Sequence, residues 1–171
     1  EGVEVESGSE EMQGIRRAIL PMLFVEGNHV CPGCEKSGAC QLQAVAYYTG
    51  MLAPHFTHFF PRRAVDASHP DFLIDFNRCI LCELCVRASR DLDGKRVFAI
   101  SGRGLESHLV IDSPTGKLGD SSFAASDKAA QVCPVGAILP KRGGYEVPIG
   151  ERLYDREPIS EVGDVAAREE G

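Results

Sequence analysis

The chain has 171 residues, 43% of them hydrophobic and 25% charged, which fits an ordinary soluble globular protein of one or two small domains. Its formal charge of −7, with no basic stripe anywhere along it, argues against nucleic acid as a partner. No membrane span is expected: the longest apolar stretch, Ala18 to Val25, contains Pro21, stops at Glu26 and is far short of the roughly 18 residues that cross a bilayer.

Acidic residues gather at both ends, in EGVEVESGSEE and EVGDVAAREEG, and read as solvated tails. The first residue is Glu1 rather than methionine, which leaves room for a targeting peptide or a further domain before it. Residues 9–24, SEEMQGIRRAILPMLF, predict an amphipathic helix. Ser9 is a natural N-cap, Glu10 and Glu11 suit the positive end of the helix dipole, and Met12, Ile15, Ile19 and Leu23 share one face. Pro21 is expected to kink or end it. A second helix begins near Cys40, carries Leu42, Val45 and Ala46, and closes at Gly50. The stretch 52–70, LAPHFTHFFPRRAVDASHP, reads as a loop between two lobes.

The second lobe opens with the strand-like DFLIDFN, which runs straight into Cys79. Further on, VFAIS and HLVID flank Gly102-Arg103-Gly104 and predict a β-hairpin. Ser126 is expected to cap a short helix, DKAAQV, that delivers Cys133 and is stopped by Pro134 and Gly136. From Lys141 the chain turns Gly- and charge-rich, which predicts an extended tail. With 18 glycines and 7% aromatic residues overall, this half is expected to hold little apolar mass, so bound metal should supply much of its folding free energy.

The chemistry lies in the cysteines. There are seven, an odd number that cannot all pair into internal disulfides, in two clusters and a straggler. RCILCELCVR carries Cys79, Cys82 and Cys85 as Cys-x2-Cys-x2-Cys, and Cys133 follows in CPVGAIL. A [4Fe–4S] cubane takes three ligands from such a tight loop and a fourth from a remote cysteine followed by proline. Tetrahedral zinc, the rival, favours paired CxxC knuckles over three evenly spaced thiols. The first cluster, NHVCPGCEKSGAC, offers His29, Cys31, Cys34 and Cys40. Seven cysteines and this one histidine supply two complete ligand sets with no thiol left over, so His29 is expected to ligate. A neutral imidazole in place of a thiolate removes one negative charge from the ligand set and should raise the reduction potential, as in Rieske centres. In two-cluster bacterial ferredoxins the cysteine before proline serves the other cluster, but His29 makes that exchange unnecessary for Cys133. The remaining histidines, His55, His58, His69 and His108, have no cysteine partners nearby and read as surface or packing residues.

EGNHVCPGCEKSGACQLQA, then FNRCILCELCVR and CPVGAIL, resemble the small iron–sulfur subunit of the diaphorase module of NAD-reducing [NiFe] hydrogenases. The resemblance extends to the N-terminal part of the large iron–sulfur subunit of respiratory complex I and to the accessory region of [FeFe] hydrogenases. It covers nearly all of residues 10–150, and EKSGACQLQ points to the hydrogenase branch. It implies a non-catalytic cytoplasmic relay with two [4Fe–4S] clusters, FMN and NAD being held by a flavin-binding diaphorase partner, and a hydrogenase small subunit on the other side. The family also implies an N-terminal [2Fe–2S] domain, whose four cysteines are absent from this sequence. In complex I three residues separate the histidine from the first cysteine, whereas only Val30 separates His29 from Cys31.

The expected fold class is α+β. A helical lobe with one histidine and three cysteines spans 1–70, a ferredoxin-like lobe with four cysteines and a short hairpin spans 71–140, and a partner-contacting tail spans 141–171. The alternatives are the corresponding relay of complex I, of an NAD-dependent formate dehydrogenase or of an [FeFe] hydrogenase, and, from another class, a zinc-stapled binding module.

Overall fold

Helix α1 (Glu10–Glu26) starts as expected, with Ser9 Oγ accepting the Met12 amide at 3.4 Å. It continues past Pro21, whose missing N–H costs one intrahelical bond. Burial of Leu20, Pro21, Phe24 and Val25 offsets that loss. The expected apolar face is largely the outer one. Ile15, Ile19 and Met22 are exposed, and of the predicted set only Leu23 packs against the core. This helix is apolar on two sides, so periodicity alone does not choose; the contact of Leu20 and Phe24 with Leu42, Ala46 and Met51 does. Helix α2 (Gln41–Tyr48) buries Leu42, Gln43, Ala44 and Ala46, and Gly50 closes it with a φ of +72°. Arg17 Nε donates to the Thr49 carbonyl at 2.5 Å and ties α1 to this end.

The stretch predicted as loop contains a strand, β1 (Val65–Asp66), which pairs antiparallel with β2 (Phe72–Asp75). A 3₁₀ turn, Phe76–Arg78, leads from β2 into Cys79. Helix α3 (Leu84–Asp91) follows, then β3 (Phe98–Ser101) and β4 (His108–Ile111), the predicted hairpin, with Phe98 opposite Ile111 and Ser101 opposite His108. Helix α4 (Lys128–Gln131) precedes Cys133, and β5 (Ile138–Pro140) completes a three-stranded sheet of order β1-β2-β5. The expected α+β character holds, and the sequence reading missed β1 and β5. Each is too short to show an alternating pattern.

The C-terminal half is better filled than its composition suggested. Ile74, Val97, Phe98 and Leu118 are at most 2% exposed, and Phe123 meets the rings of Phe72, Phe98 and His69 edge-on at 5.5, 5.9 and 5.2 Å. Full burial of such side chains contributes about 1.5–3 kcal/mol each, so this core does not depend on metal alone. A second core gathers Leu20, Phe24, Leu42, Ala46 and Met51 with Val135 and Ala137 from beyond Cys133, while the next residue, Ile138, lies in the first-named core. The chain after Cys133 therefore belongs to both.

The segment from Lys141, expected to be extended, instead carries two short helices, α5 (Leu153–Arg156) and α6 (Ile159–Val162), and α6 packs on α2. The structure, a computed structural model, describes residues 2–163, and the end of the predicted acidic tail lies outside them. Among the described residues no helix is long and apolar enough to cross a membrane.

Helix α4 is not capped by Ser126. Its first free amides, of Lys128 and Ala129, donate to the two carboxylate oxygens of Asp93 at 2.8 and 3.0 Å. Asp127, the residue at the helix boundary, pairs with Lys95 at 2.6 Å and accepts the Ala124 amide at 2.8 Å. Asp93→Ala should therefore cost about 2 kcal/mol in a urea titration and speed amide exchange at Lys128 and Ala129, whereas Ser126→Ala should change neither.

Candidate metal centres

His29, Cys31, Cys34 and Cys40 line one small cavity, together with Phe24, Leu42, Gln43, Arg78 and Gly136. The loop that presents them is a series of tight turns, with the amides of Cys34, Ser37 and Ala39 donating to the carbonyls of Cys31, Cys34 and Lys36. Gly38 takes a left-handed φ of +78° at the apex and donates its amide to Gln43 Oε1 at 2.7 Å. Gln43 Nε2 also donates to Ser37 Oγ, so a buried amide of α2 fixes the loop on which the cysteines sit. The folded-back C-terminal segment adds a clasp. Arg152 Nη1 donates to Ser37 Oγ at 3.2 Å, the Tyr154 amide donates to the Gly38 carbonyl, and Asp155, lowered to about 2 by its bond to Arg152, holds that guanidinium by two contacts.

The His29 imidazole packs against Phe24 at 5.7 Å, and its Nε2 is buried without a hydrogen-bond partner. An orphaned buried nitrogen is costly unless something binds it. Burial lowers the His29 pKa, outweighing the nearby Glu26 and Asp75, so the ring is neutral with a free lone pair at neutral pH. Gly27 makes room for it: a Cβ there would lie 2.9 Å from Nε2 and 2.7 Å from the Asn77 carbonyl.

Cys79, Cys82, Cys85 and Cys133 form the other group. Leu81 and Glu83 adopt left-handed φ values of 55° and 61°, which coil the Cys-x2-Cys-x2-Cys loop back on itself before α3 begins. Burial raises the thiols of Cys79 and Cys82, and pushes Cys85 up to about 12; in all three the proximity of Cys133 pushes the same way. In the first group burial raises Cys31 and pushes Cys40 up to about 11 against the amides of Gln43 and Leu42, with Cys34 adding to both. Cys133 thus stands close enough to act on Cys79, Cys82 and Cys85 alike. Thiols in such dry surroundings become thiolates when a bound cation offsets the charge.

Among the described residues no three of histidine, cysteine, aspartate and glutamate converge closely enough to hold a single metal ion. A zinc site needs its donors within about 2.3 Å of one point; donors spread around a cavity suit a bulkier group. The orphaned Nε2, the neutral imidazole and the thiol sets all fit an iron–sulfur cluster at each group.

Three residues that sequence reasoning missed join the two groups. Asn77 Oδ1 accepts from Asn28 Nδ2 and the Arg63 amide, and its carbonyl accepts the Asn28 amide at 2.9 Å, so the approach to His29 is bonded to the approach to Cys79. The Gln41 amide donates to the Pro134 carbonyl at 2.9 Å, linking the residues that follow Cys40 and Cys133. Gly136 lies against Cys34, where a Cβ would come 2.8 Å from Sγ. Their shared sequence signal is a position within three residues of a cysteine. His69 is buried and accepts the amides of Asp71 and Phe72, while His55 and His108 are exposed and His58 stacks on Phe60.

Two family models match separate parts of the chain. Residues 16–55 match the iron–sulfur binding region of NADH-ubiquinone oxidoreductase G, and residues 72–139 match a 4Fe-4S single cluster domain. His29 and the first three cysteines fall in one region, and the other four cysteines, Cys133 included, in the other. The gamma subunit of the NAD-reducing hydrogenase HoxS of Cupriavidus necator is 43% identical over 160 residues, 92% of this chain and 67% of that protein. NADH-quinone oxidoreductase subunit 3 of Thermus thermophilus is 32% identical over 81% of this chain but only 19% of its own length. A chain in the crystal structure of an NAD+-reducing [NiFe] hydrogenase in the H2-reduced state superposes with a TM-score of 0.89 at 55% identity, covering 92% of this chain and 67% of that one.

The two glycines give a direct check of this geometry. Gly27→Ala should displace the His29 ring and Gly136→Ala should press on Cys34, each costing about 1–3 kcal/mol. Both should reduce iron content more than Gly33→Ala, where a Cβ meets nothing within 4 Å. Equal iron in all three by metal analysis would contradict the packing described.

Proposed function

The chain belongs to the family of the iron–sulfur gamma subunits of NAD-reducing hydrogenases, and from that premise we propose that it relays electrons through two [4Fe–4S] clusters between a hydrogenase module and a flavin- and NAD-binding diaphorase module. The observation that carries the reading is the partition of eight donors into two groups: His29, Cys31, Cys34 and Cys40 around one cavity, and Cys79, Cys82, Cys85 and Cys133 in mutual electrostatic contact. When bound, a [4Fe–4S] cluster supplies single-electron acceptance and release.

The protein's own part is to hold the donors and set their charge. His29 ligates as a neutral ring that burial keeps unprotonated. One fewer thiolate makes the first group less negative than the second, which should separate their potentials. Apolar walls from Phe24 and Leu42 keep water from the first site, and the Cys133–Ile138 segment fixes the two sites relative to each other. The chain supplies no substrate-binding or acid–base machinery in this reading; hydrogen and NAD chemistry, with FMN, belong to partner subunits, and the assembly is cytoplasmic. The corresponding division is a first lobe over 1–70, a second over 71–140 and a partner-contacting segment beyond, with the lobes interlocked through Val135 and Ala137.

His29→Cys should retain the first cluster with one more negative charge and a lower midpoint, whereas His29→Ala should leave it labile. A redox titration followed by electron paramagnetic resonance distinguishes these results. An unchanged signal and midpoint in both variants would make His29 a bystander. Removal of iron by a chelator should raise amide exchange across 79–85 and 133–136 while the β3–β4 hairpin stays protected, because Phe98, Leu109 and Ile111 pack without help from metal. Loss of protection throughout 71–140 would show that the clusters hold that core.

A further inference from the structure

Arg78 stands at the junction of the two sites. It is the last residue of the turn before Cys79, yet its guanidinium reaches into the other site and lines that cavity. Nη1 lies 3.6 Å from Cys34 Sγ, 2.7 Å from Glu35 Oε2 and 3.4 Å from the Gly136 carbonyl, while Nε pairs with Asp75 Oδ2 at 2.9 Å. Its side chain is only 19% exposed. Two carboxylates and a carbonyl thus fix a permanently charged, planar group against one sulfur. Nothing about Cys34 as a ligand requires this. A purely structural ion pair with Asp75 and Glu35 would not need the sulfur, and Gly136 has no side chain to interpose.

We propose that Arg78 sets the reduction potential of the first site through the Cys34 sulfur. The inference rests on the reading of His29, Cys31, Cys34 and Cys40 as the ligands of a cluster. Reduction adds one electron, and so one negative charge, to that cluster and its thiolates. A guanidinium donating to a ligand sulfur attracts that charge and favours the reduced form, since hydrogen bonds to cluster sulfurs are among the factors that set potential. Arg78 and the His29 imidazole then act in the same direction, one by adding a positive charge beside the ligand set and the other by removing a negative charge from it. Glu35 and Asp75 moderate the effect and hold the fork in place. Its reach from the turn before Cys79 gives this residue of one ligand loop control over the other site.

The test uses the assembled complex with electron paramagnetic resonance during a titration with dithionite as the one-electron reductant. The first-site signal is identified as the one that Cys40→Ala abolishes. In Arg78→Gln the ratio of reduced to oxidised first-site cluster at a fixed potential should fall roughly tenfold, with iron content retained. Arg78→Lys keeps the charge but gives up the fork and should show a smaller fall in the same direction. If Arg78→Gln does not assemble, Arg78→Lys alone decides. A first-site signal titrating at the wild-type midpoint in the variants that assemble would overturn the proposal while leaving the cluster reading intact. If Cys40→Ala abolishes no signal, the cluster reading fails and the proposal with it.

Discussion

The arrangement turns on one short segment, Cys133-Pro134-Val135-Gly136-Ala137-Ile138. Its first residue lies with the second group of thiols, the Pro134 carbonyl takes the amide that follows Cys40, and Gly136 rests against Cys34. Val135 and Ala137 fill the core beneath the first site, and Ile138 enters the sheet beside Ile74. A side chain at position 136 would separate the sites or displace a ligand. Pro134 closes helix propagation after α4 and, having no N–H, leaves no donor to be satisfied where the chain turns between two dry sites.

From this segment the rest follows in layers. The β1-β2-β5 sheet exists because β5 continues it, and β2 then delivers Asp75, Asn77 and Arg78 to the space between the groups. Asn77 bonds to Asn28 and Arg63, and Arg78 to Glu35, so one turn of backbone holds the entrance to the other site. The hairpin and Phe123 provide an apolar floor under α3 and α4, the two helices that flank the second group. For an electron relay such rigidity matters, because transfer between centres is sensitive to their separation, and here both groups of donors are fixed to the same few residues.

The two groups of candidate donors were readable in the sequence because iron–sulfur chemistry demands thiols at short, regular spacings, and those spacings are local. Strand β2, helix α2, the hairpin and the Ser9 cap were readable for the same reason. What escaped was decided by contacts distant in sequence. Helix α1 offers two apolar faces, and only the meeting of Leu20 and Phe24 with α2 selects one. The amides that open α4 are satisfied by Asp93, far outside any local capping pattern. Strands β1 and β5 exist only through their pairing with β2. The C-terminal segment looked extended because its apolar residues are sparse, yet Arg152 clasps Ser37 and Val162 is 3% exposed. Arg78 carried no signal beyond its place next to Cys79, since its partners come from Cys34, Glu35 and Gly136.

Two separate clusters in one interlocked body, with Cys133 joined to the second group and His29 to the first, make a prediction that iron itself can report. The most direct measurement is an anomalous difference map collected at the iron edge on crystals of the assembled complex. Two separate iron peaks are expected in this chain, one bounded by His29, Cys31, Cys34 and Cys40 and the other by Cys79, Cys82, Cys85 and Cys133. A peak bounded by Cys133 together with Cys31 and Cys34, or a first peak that His29 does not touch, would contradict it.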